Sequence, residues 1–248
     1  MNVQIKQSPY ELGQTAGAEA AYLIRQAIEE KGIANIILAT GTSQFETLNR
    51  LINDEGIDWA RVVMFHLDEY IGLPMTHAGS FRKYLQDRFL SKVGALKQVH
   101  LINGEADPAA ECIQLGNAIA KHPVDVALVG IGENGHLAFN DPPADFVTEQ
   151  PYIVVDLDEP CRNQQYGEGW FSSMNEVPRK AISMSIKQIL KSKNIICSVP
   201  EERKATAVKN CLQLPVSNLH PASILQQHPA CTVYLDTNSA ALISPGFV

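Results

Sequence analysis

The stretch PVDVALVGIGENGHLAFNDP, residues 123–142, changes character half-way and decides how the chain is interpreted. Its first half is a short apolar run rich in β-branched residues, which predicts a buried β-strand. From residue 130 onward it contains three glycines, a histidine and two asparagines. A glycine-rich loop directly after a strand is expected where the backbone must come close to a small ligand.

Apolar runs of the same kind recur along the chain, and segments of helical period lie between them. The runs are ANIILAT (34–40), ARVVMFHLDEY (60–70), PYIVVDL (151–157), NIICSVP (194–200) and ACTVYL (230–235). Helices are predicted at 8–32, 80–90, 107–122 and 177–191, the first with Ser8 as N-cap and Gly32 as the stop. Parallel strands need crossover connections, so this alternation predicts a mostly parallel sheet.

The predicted fold class is α/β: one Rossmann-like domain over residues 1–248, with an open, twisted, mostly parallel sheet and helices on both faces. No linker or repeat divides the chain. The loops at 140–150 and 158–176 are longer than the others and are candidates for a lid. The chain ends soon after the last predicted strand, so we expect little room for an added regulatory segment.

Composition and charge limit the class of partner. The 248 residues carry a formal charge of −7 without a basic run, which argues against nucleic acid and anionic membrane surfaces and favours a small molecule. The sequence leaves a homo-oligomer open. Five widely spaced cysteines without a C-x-x-C pair, and the absence of a signal peptide or a membrane-spanning run, predict a cytoplasmic protein with reduced thiols.

Ligands of open parallel sheets bind at the carboxyl ends of the strands. One loop at such an end is TGTSQ, residues 40–44, where Gly41, Thr42 and Ser43 lie between a predicted strand and a predicted helix. Free N–H groups and the positive end of the helix dipole would suit a phosphate there. The alternative is that Thr42 or Ser43 only caps the helix, and the loop lacks the lysine of a P-loop.

A second loop carries two consecutive acids, Asp68 and Glu69, directly after the apolar residues 62–65. Carboxylates at such a position are costly unless they are solvated, hydrogen-bonded or used in chemistry. Because adjacent strand residues point to opposite faces, we expect only one of the two to enter a pocket while the other supports the structure. Both would equally fit ordinary acids at a strand end.

The third loop contains His136, and a lone histidine most often only satisfies a backbone carbonyl. Here Asn134 and Asn140 offer hydrogen-bond donors and acceptors nearby, and Asp141 would orient the imidazole and raise its basicity. A histidine next to a carboxylate suits general acid–base chemistry near neutral pH. Three such loops would meet at one edge of the sheet if their strands are parallel.

Two basic residues complete the set of candidates. Lys204 lies early in a predicted helix and would act as a point charge for phosphate, although a solvated lysine fits the pattern as well. Arg162, in the polar segment 161–171, is the obvious anion ligand of that segment. The sequence has no H-x-x-x-H pattern and no acidic triplet, so we expect no metal site.

The motifs LATGTS, FHLDEYIGLP, THAGSFRKYL and GIGENGHLAFNDP, in this order, resemble the glucosamine-6-phosphate deaminase (isomerase) family. The resemblance continues through VPRKAISMSI and ERKATAV and so covers most of the chain. The related 6-phosphogluconolactonases look similar in fold, but DEY and GHLAFN are more like the deaminase branch. The resemblance implies a cofactor-free aldose–ketose isomerisation of a hexosamine phosphate, coupled to loss of ammonia and giving fructose 6-phosphate.

Carried over by position, the resemblance assigns Asp68 as the base that moves a proton between C2 and C1 of the sugar. It assigns ring opening to His136 with Asp141 as its partner, and phosphate binding to Thr42, Ser43 and Lys204.

The chain departs from the family at three points. Asn134 stands where many relatives have aspartate, Asp141 where they have glutamate, and Arg162 is only a candidate for the family's phosphate-binding arginine. A hydrolase of a sugar-phosphate lactone and a non-catalytic sugar-phosphate sensor remain as alternatives.

Overall fold

The computed structural model describes residues 1–247; Val248, at which the predicted domain ends, lies outside them. Over this range the chain forms strands and α-helices joined by short 3-10 and π turns. The strands are β1 (Asn2–Lys6), β2 (Ala34–Leu38), β3 (Val62–His66), β4 (Asp68–Tyr70), β5 (Gln98–His100), β6 (Val126–Val129), β7 (Tyr152–Asp156), β8 (Lys180–Met184), β9 (Asn194–Val199) and β10 (Cys231–Asp236). The helices are α1 (Pro9–Lys31), α2 (Phe45–Ile52), α3 (Phe81–Leu85), α4 (Pro108–Ile119), α5 (Glu159–Gly167), α6 (Ile186–Leu190) and α7 (Ala205–Gln213).

The main sheet confirms the predicted fold class. Within residues 1–247 it has seven strands in the order β1-β10-β9-β6-β2-β3-β5, and every neighbouring pair is parallel. The strands β6, β2 and β3 therefore lie side by side near its middle, and their carboxyl ends share one edge. The sequence interpretation missed the two outer strands, β1 and β5, which are short and partly exposed.

Alternate residues of β2 belong to two different cores, so both faces of the main sheet are covered. Ile36 and Leu38 pack with α1, α2 and the π turn after α3 on one face. Ile37 packs on the other face with apolar residues of α4, α6 and α7. Full burial on both faces is why the central strands read as continuous apolar runs.

A second, three-stranded sheet corrects two parts of the sequence interpretation. Residues 180–184 form strand β8 where a helix was predicted, and only the short α6 follows it. Strand β7 pairs antiparallel with β8, as does β4, in the order β4-β8-β7. The alternating burial of β7 fits a strand with one face exposed to solvent. Ile182 and Met184 pack into the core on the α4 side of the main sheet.

Helix ends explain two other features. Helix α1 begins and ends as predicted: Ser8 accepts a hydrogen bond from the backbone N–H of Glu11, and Gly32 terminates the helix in the left-handed conformation with φ of 79°. The first half of the lid candidate 158–176 is helix α5 and not an irregular loop. Its N-cap is Asp158, which accepts from the backbone N–H of Cys161.

Two further findings concern the cysteines and the apolar character of the helices. All five cysteines lie within residues 1–247, and none is in a disulfide. Among the helices of that range, none combines the length and the apolar character that a membrane crossing requires.

Candidate active site

The three unusual loops meet as predicted, at the carboxyl ends of β2, β3 and β6. Together with α5 and the turn directly before α7 they enclose one concavity, which we call the rim pocket. It is lined by Ala39–Ser43, Leu67, Asp68, Phe81, Gly130–Gly132, His136, Ala138, Phe139, Gln164, Gln165, Glu168, Arg203 and Lys204. Of the residues predicted from the sequence, Gly41, Thr42, Ser43, Asp68, His136 and Lys204 are in this lining.

A larger concavity of about 1160 Å³ lies elsewhere, between α4, the loop 139–151 and strand β7, and we call it the α4 groove. Its lining is mostly apolar and includes neither Asp68 nor His136. Size alone would favour the α4 groove, but the rim pocket holds the charged and titratable groups and lies where open parallel sheets bind ligands. We therefore assign the candidate active site to the rim pocket. The lid candidate 140–150 contributes to the α4 groove instead.

The loop after β2 leaves its hydroxyl groups available to a ligand. Gly41 has φ of 95°, and the 3-10 turn that follows it, Thr42–Gln44, has no side-chain cap. Neither Thr42 nor Ser43 therefore caps helix α2, which removes the alternative explanation of these residues. The amide of Gln44 anchors the loop to β6 by donating to the Val129 carbonyl oxygen at 3.2 Å.

Two cations of the 3-10 turn Glu202–Lys204, directly before α7, face this loop. Lys204 is only 3% exposed, and burial lowers its pKa to about 8, with the charge of Arg203 acting in the same direction. Arg203 donates to Thr42 Oγ1 at 3.0 Å. Within the described residues, the nearby carboxylates of Glu133 and Glu201 form ion pairs with Arg203 and none with Lys204. A buried ammonium group without a carboxylate partner indicates an anion-binding site.

The consecutive acids of β4 have separate environments, as the alternation of strand side chains predicts. Glu69 is fully buried and accepts hydrogen bonds from the backbone N–H groups of Tyr70, Phe81 and Arg82 and from the Ser80 hydroxyl. It supports the start of α3. Asp68 lines the rim pocket instead.

The protonation of Asp68 is set mainly by its burial. Burial raises the pKa of this carboxyl to about 8, and the charge of Glu69 acts in the same direction. The backbone N–H of Phe139 opposes this rise only in part. A carboxyl with a pKa near neutrality can both accept and return a proton, which suits a general base.

His136 is positioned by its own loop. Its Nδ1 lies 3.1 Å from Asp141 Oδ1, and its backbone N–H donates to Asn134 Oδ1. The amide of Asn134 donates to the same Asp141 oxygen at 2.9 Å, so Asn134 joins both residues. Burial alone would raise the pKa of Asp141, but its contacts with His136 and Asn134 hold that pKa below the usual range.

Glycine is required in this loop by close packing. A Cβ atom at Gly132 would overlap the imidazole ring of His136, and Gly135 has φ of 87°. Ala138 also adopts a positive φ, 51°, next to the pocket. Such strained backbone is concentrated at functional sites.

The structure does not bring Arg162 into the rim pocket. Its guanidinium donates to the carbonyl oxygens of Met174 and Val177 at 2.8 and 2.9 Å and so ties α5 to the segment before β8. Arg203 is the arginine in the pocket, and the sequence interpretation missed it. Three further lining residues were also missed: Gln164, Gln165 and Glu168. They lie in the polar segment 161–171, whose sequence does not show which side chains face the pocket.

The family model described as glucosamine-6-phosphate isomerases/6-phosphogluconolactonase matches residues 7–234. The chain belongs to this family. It is 36% identical over 230 residues to a glucosamine-6-phosphate deaminase of Listeria monocytogenes, covering 92% of this chain and 96% of that one. A deaminase of the same name from Bacillus thuringiensis is 35% identical over 246 residues, covering 98% and 90%.

Solved structures of the family agree with the fold. A structure described as a monomeric glucosamine-6-phosphate deaminase has a TM-score of 0.89 and 34% identity, covering 98% of this chain and all of that one. The 6-phosphogluconolactonase of Trypanosoma brucei has a TM-score of 0.80 but only 17% identity, with 98% of both chains covered. The second likeness extends to the fold alone.

Proposed function

We propose that the chain converts a hexosamine 6-phosphate, with glucosamine 6-phosphate as the first candidate, into fructose 6-phosphate and ammonia. The observation that carries this proposal is that the rim pocket joins a buried carboxyl of raised pKa, Asp68, to an anion site built around the buried Lys204. A substrate with a phosphate at one end and an exchangeable C–H bond at the other matches such a pocket.

Phosphate binding is the role of the loop after β2 and of the turn directly before α7. Lys204 supplies a buried positive charge, and the guanidinium of Arg203 lies beside the Thr42 hydroxyl. Thr42 and Ser43 contribute hydroxyl groups that cap no helix, and Gly41 contributes backbone that no side chain covers. Arg203 takes the part that the sequence interpretation gave to Arg162. Ion pairs with Glu133 and Glu201 hold the guanidinium in place before a ligand arrives.

Proton transfer is the role of Asp68. After the ring opens, the ionised Asp68 takes the proton from C2 while electrons move to the oxygen of the C1 aldehyde. That oxygen takes a proton from the C2 ammonium group, which gives an enol that carries the amino group on C2. Return of the proton to C1 leaves a ketimine at C2. Addition of water to that ketimine releases ammonia and leaves fructose 6-phosphate, so one water is consumed in the net reaction. Only acid–base groups are needed for these steps.

Ring opening is the role of His136. The imidazole would take the proton of the C1 hydroxyl and return it to the ring oxygen, and Asp141 stabilises the imidazolium that forms. Asn134 contacts both residues and keeps them aligned. The shorter Asp141 and the neutral Asn134 thus still form a connected relay with His136.

A coupled ammonia assay with glucosamine, galactosamine and mannosamine 6-phosphates tests the proposal. We expect ammonia and ketose phosphate in equal amounts from one of the three. Acid release from 6-phosphogluconolactone without ammonia from any amino sugar would favour the lactone hydrolase. Tight binding of a sugar phosphate without turnover of any of these compounds would favour the sensor.

A further inference from the structure

Three side chains that lie apart in the sequence meet behind the imidazole of His136. The ring nitrogens of His136, the carboxylate of Asp141 and the thiol of Cys161 each offer one atom within 4.8 Å of the other two. Cys161 lies in the first turn of α5, so the linear sequence gives no sign of this cluster. We infer that these three residues form an inhibitory binding site for Zn²⁺ or a similar thiophilic divalent cation.

The donor set and its spacing suit zinc. Thiolate, imidazole and carboxylate are the ligands that zinc prefers, with bonds of about 2.0 to 2.3 Å, so tetrahedral ligand atoms lie roughly 3 to 4 Å apart. The donor atoms of this cluster, all within 4.8 Å of one another, are close to that spacing. The buried Nδ1 of His136 lies 3.1 Å from Asp141 Oδ1 and has no other polar partner among the described residues. This nitrogen is therefore available to a ligand.

The charge around the cluster also favours a cation. Asp158 lies beside Asp141: its backbone N–H donates to Asp141 Oδ2, and Asn134 bridges the two carboxylates. Within the described residues, no lysine or arginine forms an ion pair with either acid, and His136 is the only basic partner of Asp141. The two carboxylates thus lie close together without a full counter-charge. A divalent ion would supply it.

An ion can reach the cluster without crossing the rim pocket. Asp141 and Asp158 line the α4 groove, whereas His136 lines the rim pocket. The imidazole therefore separates the two concavities. An ion entering from the α4 groove meets the carboxylates first and then Nδ1, on the side of the ring away from the sugar.

Metal coordination by the cluster would stop acid–base catalysis by His136 without blocking the binding of the sugar phosphate. The Cys161 thiol loses its proton to solvent and the imidazole proton moves from Nδ1 to Nε2, so the thiolate and the Nδ1 electron pair bind the metal and nothing is oxidised or reduced. His136 then loses its contact with Asp141 and can no longer become an imidazolium. Inhibition of turnover in this way rests on the proposed function, but metal binding to the cluster does not.

Steady-state kinetics of the full chain in buffered free Zn²⁺ test the inhibition. We expect kcat to fall while KM changes by less than about twofold, because the phosphate and sugar contacts are untouched. The variant Cys161→Ser keeps the size of the side chain but removes the thiolate, and should raise the half-inhibitory Zn²⁺ concentration by about tenfold or more. Each variant is compared with its own zinc-free rate. Cys112→Ala, which removes a thiol that lines the α4 groove outside the cluster, should respond to zinc as the parent does.

Co²⁺ absorption spectra provide a readout that does not depend on activity. The parent chain and Cys112→Ala should show a thiolate-to-cobalt charge-transfer band, and Cys161→Ser should lack it. A parent chain without this band, equal zinc sensitivity of the parent and Cys161→Ser, or a rise in KM at constant kcat would each overturn the inference. If no amino sugar phosphate is turned over, the proposed function fails, whereas the cobalt spectra still decide on the metal site.

Discussion

Asp68 and Glu69 are consecutive and both buried, yet their carboxylates face different surroundings. The Glu69 carboxylate accepts four hydrogen bonds, from three backbone N–H groups and one hydroxyl, whereas Asp68 lines the rim pocket. Because side chains alternate along β4, two consecutive acids have different roles: Glu69 supports the structure, and Asp68 faces the pocket where it can act in catalysis. Substitutions at the two positions should therefore differ in kind.

For Glu69→Gln we expect a loss of stability greater than the loss of turnover. The neutral amide offers one oxygen instead of two and leaves buried N–H groups without an acceptor, which costs about 1–3 kcal/mol in the free energy of unfolding. Urea unfolding measures this cost. Glu105→Gln is the matched control, because that carboxylate also pairs with Arg82 but is half exposed. Unchanged stability of Glu69→Gln would contradict the structural role.

Asp68→Asn should stabilise the fold at neutral and alkaline pH. The folded-state pKa of about 8 lies above the ordinary value of 3.8, so the native state holds this proton more tightly than the unfolded state does. The wild type therefore loses stability as pH rises from about 4 to about 8, and the variant lacks this loss. The gain at about pH 8 should be about 1 kcal/mol or more, because one pKa unit corresponds to about 1.4 kcal/mol.

Thermal unfolding of both proteins across this pH range gives the comparison. The difference in stability should become small near pH 4, where the carboxyl is protonated in the folded state and only about half ionised in the unfolded state. A variant that is equally stable or less stable than the wild type at pH 8 would contradict the assignment of a raised pKa to Asp68.

Lys204→Ala should weaken substrate binding more than it slows chemistry. A charge-assisted contact to phosphate is worth about 1.5–3 kcal/mol and persists through the reaction, so KM should rise about 10- to 100-fold with kcat little changed. Arg203→Ala should act in the same direction and Arg162→Ala should not. Lys209→Ala removes an exposed lysine of helix α7, which begins directly after Lys204, and is the control. A large fall in kcat at saturating substrate would place Lys204 at the reacting atoms instead.

Much of the fold could be predicted because its signals are local. Helix α1 has its caps, Ser8 and Gly32, directly at its two ends. The central strands are continuous apolar runs, which are typical of a sheet that is buried on both faces. Strand β8 was missed because its residues also fit a helical period, and its state is decided by pairing with β4 and β7. Those partners are distant in the sequence, so no local pattern reports them.

The site could be predicted where a loop directly follows a strand of the main sheet. His136, Asp68 and Thr42 are of this kind, since the topology alone brings such loops together. Arg162 and Arg203 show the limit: both are arginines on or beside a helix after a strand, and only three-dimensional packing directs one to carbonyl oxygens and the other to the rim pocket. The meeting of Cys161 with Asp141 has the same origin. Which residues bind and react stays a prediction until variants are measured.

The central claim is that Asp68 moves the proton at C2. The loss of deuterium from C2 of C2-deuterated glucosamine 6-phosphate, either to C1 of the product or to ordinary water, tests it most directly, and we call this loss washout. The wild type should lose the label from C2 as it turns over. Asp68→Asn keeps the shape of the side chain without the basic oxygen, so it should still bind sugar phosphate while washout and ammonia release both fall by about 100-fold or more. Washout and ammonia release near wild-type rates in Asp68→Asn would contradict the account.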